Sequence, residues 1–283
     1  MDLGTPKALG RDEQRSVAVY RRLVSASIER VWENVLDWEH LPYLHHDSFA
    51  SIELLSSSDD GWRALVGLTS ELGGVESEIE VVLDRGNLRY TTATVGGMGA
   101  GSEIVTSLAP SEAPSEAHTR IEVDFRVPGI APENAAAVGS YYRKLYARLW
   151  DQDEAMMVRR ERVLGARRVQ GPARPSAPRA PVPLGTESCV RARLPFMVEI
   201  AGFAYRVLDV DGDVAVHEAT CPHLGGPLDA VAVEEGCITC PWHGYRFDVR
   251  TGRSADGRAL RLAPAPSVSI DRTTGEAYLV WDA

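Results

Sequence analysis

Four residues near the C-terminal end of this 283-residue chain carry its clearest chemistry: Cys221, His223, Cys240 and His243. The pattern is C-x-H, sixteen residues, then C-x-x-H, so each arm offers one thiolate and one imidazole. Two thiolates can hold one iron of a [2Fe-2S] cluster while two imidazoles hold the other. The rival is structural zinc, which accepts the same ligand types. Zinc sites, however, usually pair C-x-x-C with H-x-x-x-H, whereas each arm here mixes the two. Gly225, Gly226 and Gly244 follow closely on the two His residues. Glycine lets a backbone approach such a group closely enough for amide N–H groups to reach the sulfurs.

A second constellation lies far upstream. Asp37, His40 and His45 read D-x-x-H-x-x-x-x-H. Asp37 and His40 are spaced i, i+3 and share a face if the preceding helix runs on, opposite an apolar stripe that begins at Ile28. Alone, such a face reads equally well as solvated surface. His46 is out of register and is expected to be solvated or to support its neighbour.

The elements that must position these groups follow from hydrophobic periodicity. Val17-Ala18-Val19-Tyr20 suggests a first strand after a loose, polar segment 1–14. Ser27 suits an N-cap, and Ile28, Val31, Trp32, Val35 and Leu36 form a helical stripe that Pro42 is expected to end. Segments near 50–56, 62–70, 75–84, 87–95, 102–109 and 119–127 read as strands joined by short turns, hence an antiparallel sheet. The run GGMGAG at 96–101 fails the dinucleotide fingerprint because Ser102 stands where a third glycine belongs; it reads as a turn or bulge. A long helix is predicted over 133–164, with Val138, Tyr142, Leu145, Leu149, Met156 and Val163 as its stripe. Residues 165–186, rich in Pro and Arg and free of acids, read as an extended linker. Short strands are expected near 188–200, 203–208, 258–262, 266–271 and 276–281.

Residues 187–283, with the C-x-H and C-x-x-H arms, resemble a Rieske [2Fe-2S] ferredoxin-like domain. The order of elements in residues 1–164 resembles the α+β helix-grip domains of the START/Bet v 1-like (SRPBCC) superfamily, an antiparallel sheet around a long C-terminal helix with an apolar cavity. The stretch from Glu33-Asn34 through Asp37 and His40 to His45 is similar to the iron segment of Rieske non-haem iron oxygenases. That resemblance implies His40 and His45 as ligands of a mononuclear Fe(II), with Asp37 as the bridge to the cluster. It also implies a carboxylate ligand from the long helix. Among Asp151, Asp153 and Glu154, only Asp153 falls within the apolar stripe at ~100° per residue, where a carboxylate is costly unless paired or bound to metal. Two departures stand out: the Rieske part comes last rather than first, and Glu39 precedes His40 where the family often has Tyr. Gly226 and Trp242 stand where high-potential members carry an extra Cys pair, and Tyr245 and Phe247 where they carry Ser and Tyr, which favours a lower cluster potential.

Composition fits two domains and an ordinary core, at 44% hydrophobic residues. The net charge of −10 disfavours nucleic acid and anionic membrane as partners. No apolar run is long enough to span a membrane, and the first residues lack a signal-peptide shape. Cys189 and Cys237 are expected to be buried small hydrophobes in a reducing, cytoplasmic protein. The resemblance therefore implies an oxidoreductase: an oxygenase that hydroxylates or dealkylates a small apolar substrate with O₂. Electrons would come from an NAD(P)H-dependent reductase or a ferredoxin, since no flavin or nicotinamide motif is present, and the family's trimers point to a homo-oligomer. The alternative is a non-enzymatic electron-transfer protein, a ligand-binding helix-grip domain fused to a Rieske ferredoxin.

Overall fold

The computed structural model describes residues 16–111, 118–170 and 180–281. The expected loose segment 1–14 and residues 171–179 of the expected proline-rich linker lie outside them. The chain divides into two compact units, Met1–Val158 and Arg159–Ala283.

The first unit opens with strand β1 (Ser16–Val24), followed by helix α1 (Ile28–Leu36). Ser27 caps α1, accepting the backbone N–H of Arg30 at 3.3 Å. The helix does not run on to Pro42. It ends at Asp37, whose backbone leaves helical space (φ −85°, ψ 78°), and a 3₁₀ turn, Trp38–His40, follows. Pro42 instead sits in the first turn of a separate short helix, α2 (Leu41–Leu44), where its missing N–H costs nothing.

Six further strands follow: β2 (Phe49–Ser58), β3 (Gly61–Leu68), β4 (Glu76–Asp84), β5 (Arg89–Gly97), β6 (Glu103–Pro110) and β7 (Thr119–Arg126). All pairs are antiparallel, in the order β1-β7-β6-β5-β4-β3-β2. Each consecutive pair from β2 to β7 is joined by a short connection, so chain neighbours are sheet neighbours. The glycine-rich run 96–101 makes the β5–β6 turn, with Gly97, Gly99 and Gly101 at positive φ.

Helix α3 (Pro132–Gln170) closes this sheet. Phe125 of β7 stacks on Tyr142 at 5.1 Å between centroids and meets Tyr146 edge-on at 4.8 Å. Gly139 brings α3 onto β1 so closely that an added Cβ would lie 2.5 Å from the Val17 carbonyl oxygen. Trp150 and Met157 of α3 join Val31, Ala64, Val123 and Phe125 in one core. This is the helix-grip arrangement. The buried face of α3 runs through Trp150 and Met157 as well as Met156, a stripe slightly rotated from the one read in the sequence.

The expected helix end at 164 and linker at 165–186 need correction. Helix α3 continues to Gln170, up to Gly171-Pro172, and Val182–Thr186 forms strand β8. β8 pairs with β16 (Glu276–Val280), itself paired with β15 (Ser267–Ile270). Val182 and Leu184 pack onto a core of Ile200, Tyr205 and Leu279; that apolar pair inside the proline-rich text is what makes a strand. The expected strand start near 188 is instead helix α4 (Glu187–Arg193), capped by Thr186 and braced by an i, i+4 pair of Glu187 and Arg191 at 2.8 Å. Strands β9 (Phe196–Ile200), β10 (Phe203–Val210) and β11 (Asp213–Glu218) form a second sheet of this unit. The third contains β12 (Val233–Glu234), β13 (Cys237–Thr239) and β14 (Arg246–Asp248). The strand expected at 258–262 is reduced to a single bridge between Arg253 and Arg261. Cys189 is exposed and Cys237 half-buried, not buried as expected; both are free thiols.

Candidate metal centres

The two cluster arms fold into loops of the same design. In the first, the Cys221 N–H donates to the Gly226 carbonyl at 2.9 Å and the Gly225 N–H donates back to the Cys221 carbonyl at 3.2 Å. In the second, the Cys240 N–H donates to Tyr245 and the Gly244 N–H to Cys240, both at 2.9 Å. Each closure needs a left-handed residue at the same place, filled by Gly225 (φ +87°) and Gly244 (φ +66°). In each loop the backbone N–H two residues on, from His223 and from Trp242, donates to the cysteine sulfur. Arg159, in the same unit, holds the first loop from outside through a 2.9 Å bond from its Nε to the Gly225 carbonyl.

The loops bring like ligands together. The Cys221 and Cys240 thiols are hydrogen-bonded to each other, and the His223 and His243 rings lie 4.5 Å apart at 81°. Both sulfurs are buried. Hydrogen bonding from Cys221 holds the Cys240 thiol down to about 5 although burial opposes it, while the same bond and burial push Cys221 up. An added Cβ at Gly226 would lie 2.6 Å from the Cys240 sulfur, so only glycine fits beside it. Two adjacent thiols next to two adjacent imidazoles suit the two unlike irons of a [2Fe-2S] cluster.

The second centre is assembled from α3 and the segment after α1. His40, His45 and Asp153 each offer one ligand atom, and these atoms lie within 4.8 Å of one another. Asp153 Oδ1 is 3.0 Å from His45 Nε2 and 3.5 Å from His40 Nε2. Asp37 Oδ2 lies 3.6 Å from His40 Nδ1, reached across the break after α1 rather than along a continuous helix face. Both histidines are buried, so the polar face that could have been solvated surface is interior. Burial raises the Asp153 carboxyl, but the His45 charge and hydrogen bond, with His40 and Asn34, hold it below the usual range. Burial lowers His45, yet Asp153 and Gln152 lift it above its ordinary value.

The other carboxylates of this helix point elsewhere. Asp151 pairs with Arg22 at 2.5 Å, and Glu154 binds the same guanidinium and the Ser25 N–H. His46 is exposed and sits by Asp47 and the Tyr43 carbonyl. Two residues support these ligands: Gln152, which had no clear sequence signal, and Asn34, which stood in the matching segment without an assigned role. Gln152 Oε1 is 2.7 Å from His45 Nδ1, fixing which ring nitrogen faces Asp153, and Asn34 Nδ2 donates to Asp153 at 3.2 Å. Their polarity beside a ligand candidate was visible, but not their partners.

His40, His45, Asp37 and Asp153 line a cavity of about 400 Å³ between the sheet and α3. Its walls are mostly apolar, with Trp62, Val66, Ile79, Ile104 and Leu149 among them. Two histidines and one carboxylate at the wall of such a cavity match the set that holds Fe(II) with open positions beside a substrate.

Residues 180–266 match the family model of the Rieske [2Fe-2S] domain. A cholesterol 7-desaturase from Hemicentrotus pulcherrimus is 28% identical over 92 residues, and one from Xenopus laevis is 42% identical over 65. These matches cover 32% and 23% of this chain but only 20% and 13% of the relatives. Among solved structures, a START superfamily protein from Mycobacterium smegmatis is 16% identical, covering 50% of this chain and 95% of its own, with a TM-score of 0.41. The ferredoxin of carbazole 1,9a-dioxygenase from Nocardioides aromaticivorans IC177 is 27% identical, covering 36% of this chain and 99% of its own, with a TM-score of 0.30.

Proposed function

We propose that this chain, whose residues 180–266 form a Rieske [2Fe-2S] domain, is a Rieske-type non-haem iron oxygenase. The observation that carries the reading is the convergence of His40, His45 and Asp153 within 4.8 Å at the wall of an apolar cavity. Cys221, Cys240, His223 and His243 would hold the cluster, and His40, His45 and Asp153 the mononuclear Fe(II). When bound, the two groups supply single electrons and O₂ activation, so that a C–H bond of the substrate becomes C–OH while the second oxygen atom leaves as water.

The chain's own residues do the rest. Gln152 and Asn34 hold His45 and Asp153 so that nitrogen and oxygen face a common point. Asp37 Oδ2 lies 3.6 Å from the other ring nitrogen of His40, and Asp37 is proposed as the bridge between the two centres. The cavity excludes bulk water from the reacting carbon and binds an apolar substrate by burial. Electrons are proposed to enter from an NAD(P)H-dependent reductase or ferredoxin. The free thiols of Cys189 and Cys237 fit a reducing, cytoplasmic setting.

Iron analysis tests this reading. An oxygenase holds about three irons per chain, whereas a ferredoxin fused to a binding domain holds two. A reconstituted chain saturating at two irons would overturn it. Asp37→Asn should keep all three irons yet slow reoxidation of the reduced cluster by O₂ with substrate present.

A further inference from the structure

Among the described residues, the cavity wall carries a buried hydroxyl that the fold leaves unanswered. Several polar side chains around it are engaged: Trp62 Nε1 donates to the Val35 carbonyl at 2.8 Å, Ser77 Oγ to the Met98 carbonyl at 3.0 Å, and Arg148 to Ser48 Oγ at 2.7 Å. Ser102 lines the same cavity and is 5% exposed, yet its hydroxyl has no protein partner among the described residues. A buried hydroxyl without a partner costs free energy that the fold does not recover from its own contacts.

The strands give its distance from the metal candidates. Tyr90, Thr92 and Thr94 alternate along β5 onto the cavity face. Tyr90 lies at the Asp153 end, where the carboxylate's charge adds to the effect of burial in pushing its phenol up. Thr94 lies at the other end, where its N–H donates to the Ser102 carbonyl at 2.9 Å. Four residues of strand span roughly 13 Å. The opposite wall agrees: Ile104, two residues after Ser102, pairs with Phe125, which stacks on Tyr142 of α3. From Tyr142 to Asp153 the helix rises about 16 Å.

We infer that Ser102 is a specificity residue, and that the substrate is an elongated, largely apolar molecule with one hydroxyl or carbonyl oxygen. That oxygen bonds Ser102, on the order of 10–15 Å from the carbon held at His40, His45 and Asp153. A hydroxyl side chain can donate to a carbonyl or accept from an alcohol, so it suits either oxygen. The stated distance to the oxidised carbon rests on the oxygenase reading; the binding role of Ser102 does not.

The test is calorimetric titration of the full chain with a matched pair of probes, 4-hexylphenol and hexylbenzene. Wild-type protein should bind the phenol more tightly, by roughly three- to tenfold. Ser102→Ala should abolish that preference, keep the affinity for hexylbenzene, and melt no lower than wild type, since it removes an unpartnered buried group. Equal affinities in wild type, a preference that survives Ser102→Ala, equal loss of both probes in the variant, or a lowered melting temperature would each overturn the proposal. A chain that shows the preference but never holds a third iron would sink the oxygenase reading and leave the role of Ser102 standing.

Discussion

The two candidate centres are built on opposite plans. The cluster arms are two six-residue loops, each closed by its own backbone hydrogen bonds, with a left-handed glycine at the same position. Each loop carries its ligands and its sulfur-directed amide within a few residues. The His40, His45 and Asp153 centre has no such local frame. His45 and Asp153 are 108 residues apart and meet only because α3 lies across the sheet beside the segment that follows α1. A local loop holds its geometry wherever the backbone closes, whereas a centre made across elements depends on the packing of the whole first unit.

Substitutions can break the two plans separately. Cys240→Ser should have the largest effect: loss of both cluster irons, of the brown colour and of the Rieske-type EPR signal, with one iron per chain retained. Loss of all iron would show that the His40, His45 and Asp153 centre depends on the cluster. Asp153→Ala should lose one iron of three and all oxygenation while the EPR signal persists. In the metal-free chain it should also destabilise by about 1–3 kcal/mol, because His45 and Asn34 lose a buried partner. Full iron in this variant would remove Asp153 from the ligand set.

Gly226→Ala tests the local plan without touching a ligand. Its Cβ would lie 2.6 Å from the Cys240 sulfur, so cluster occupancy should fall while iron at His40, His45 and Asp153 stays. Unchanged cluster absorbance would mean that the loop can yield.

The pH response sharpens the contrast further. His45 has a folded pKa above its ordinary 6.5. In metal-free protein its contribution to stability is therefore complete below about 6.5 and is lost as pH rises through the raised value. Asp153, held low, contributes above its ordinary value near 3.8 and loses this as pH falls through its depressed one. Ferrous ion requires neutral His45, so Fe(II) affinity at this centre should rise with pH until His45 has lost its proton. A flat affinity between pH 5 and 8, by equilibrium dialysis, would contradict the His45 assignment. The smallest effect is expected for Asp151→Ala. Its pair with Arg22 is largely exposed on the Asp151 side, at 68%, so the loss should be at most about 1 kcal/mol, with all three irons retained.

Sequence by itself determined the cluster motif, because its ligands and glycines all lie in two short stretches and the loops close on themselves. It also conveyed the alternation of the six strands from β2 to β7, since their connections are short and period-two patterning survives in each. The helical phase turned Asp153 toward the cavity on paper, and Asp151 and Glu154 away from it, because their spacing along α3 is rigid. Only the tertiary structure decided the rest. Asp37 reaches His40 through a break after α1 that Pro42 did not signal, because Pro is equally at home in the first turn of a new helix. Val182 and Leu184 became a strand because a distant partner, β16, offered an edge and an apolar core. Gln152 and Asn34 acquired their roles, and Ser102 was left without one inside the fold, through contacts between elements far apart in the chain. Such contacts depend on how surfaces pack, and spacing along a sequence does not record them.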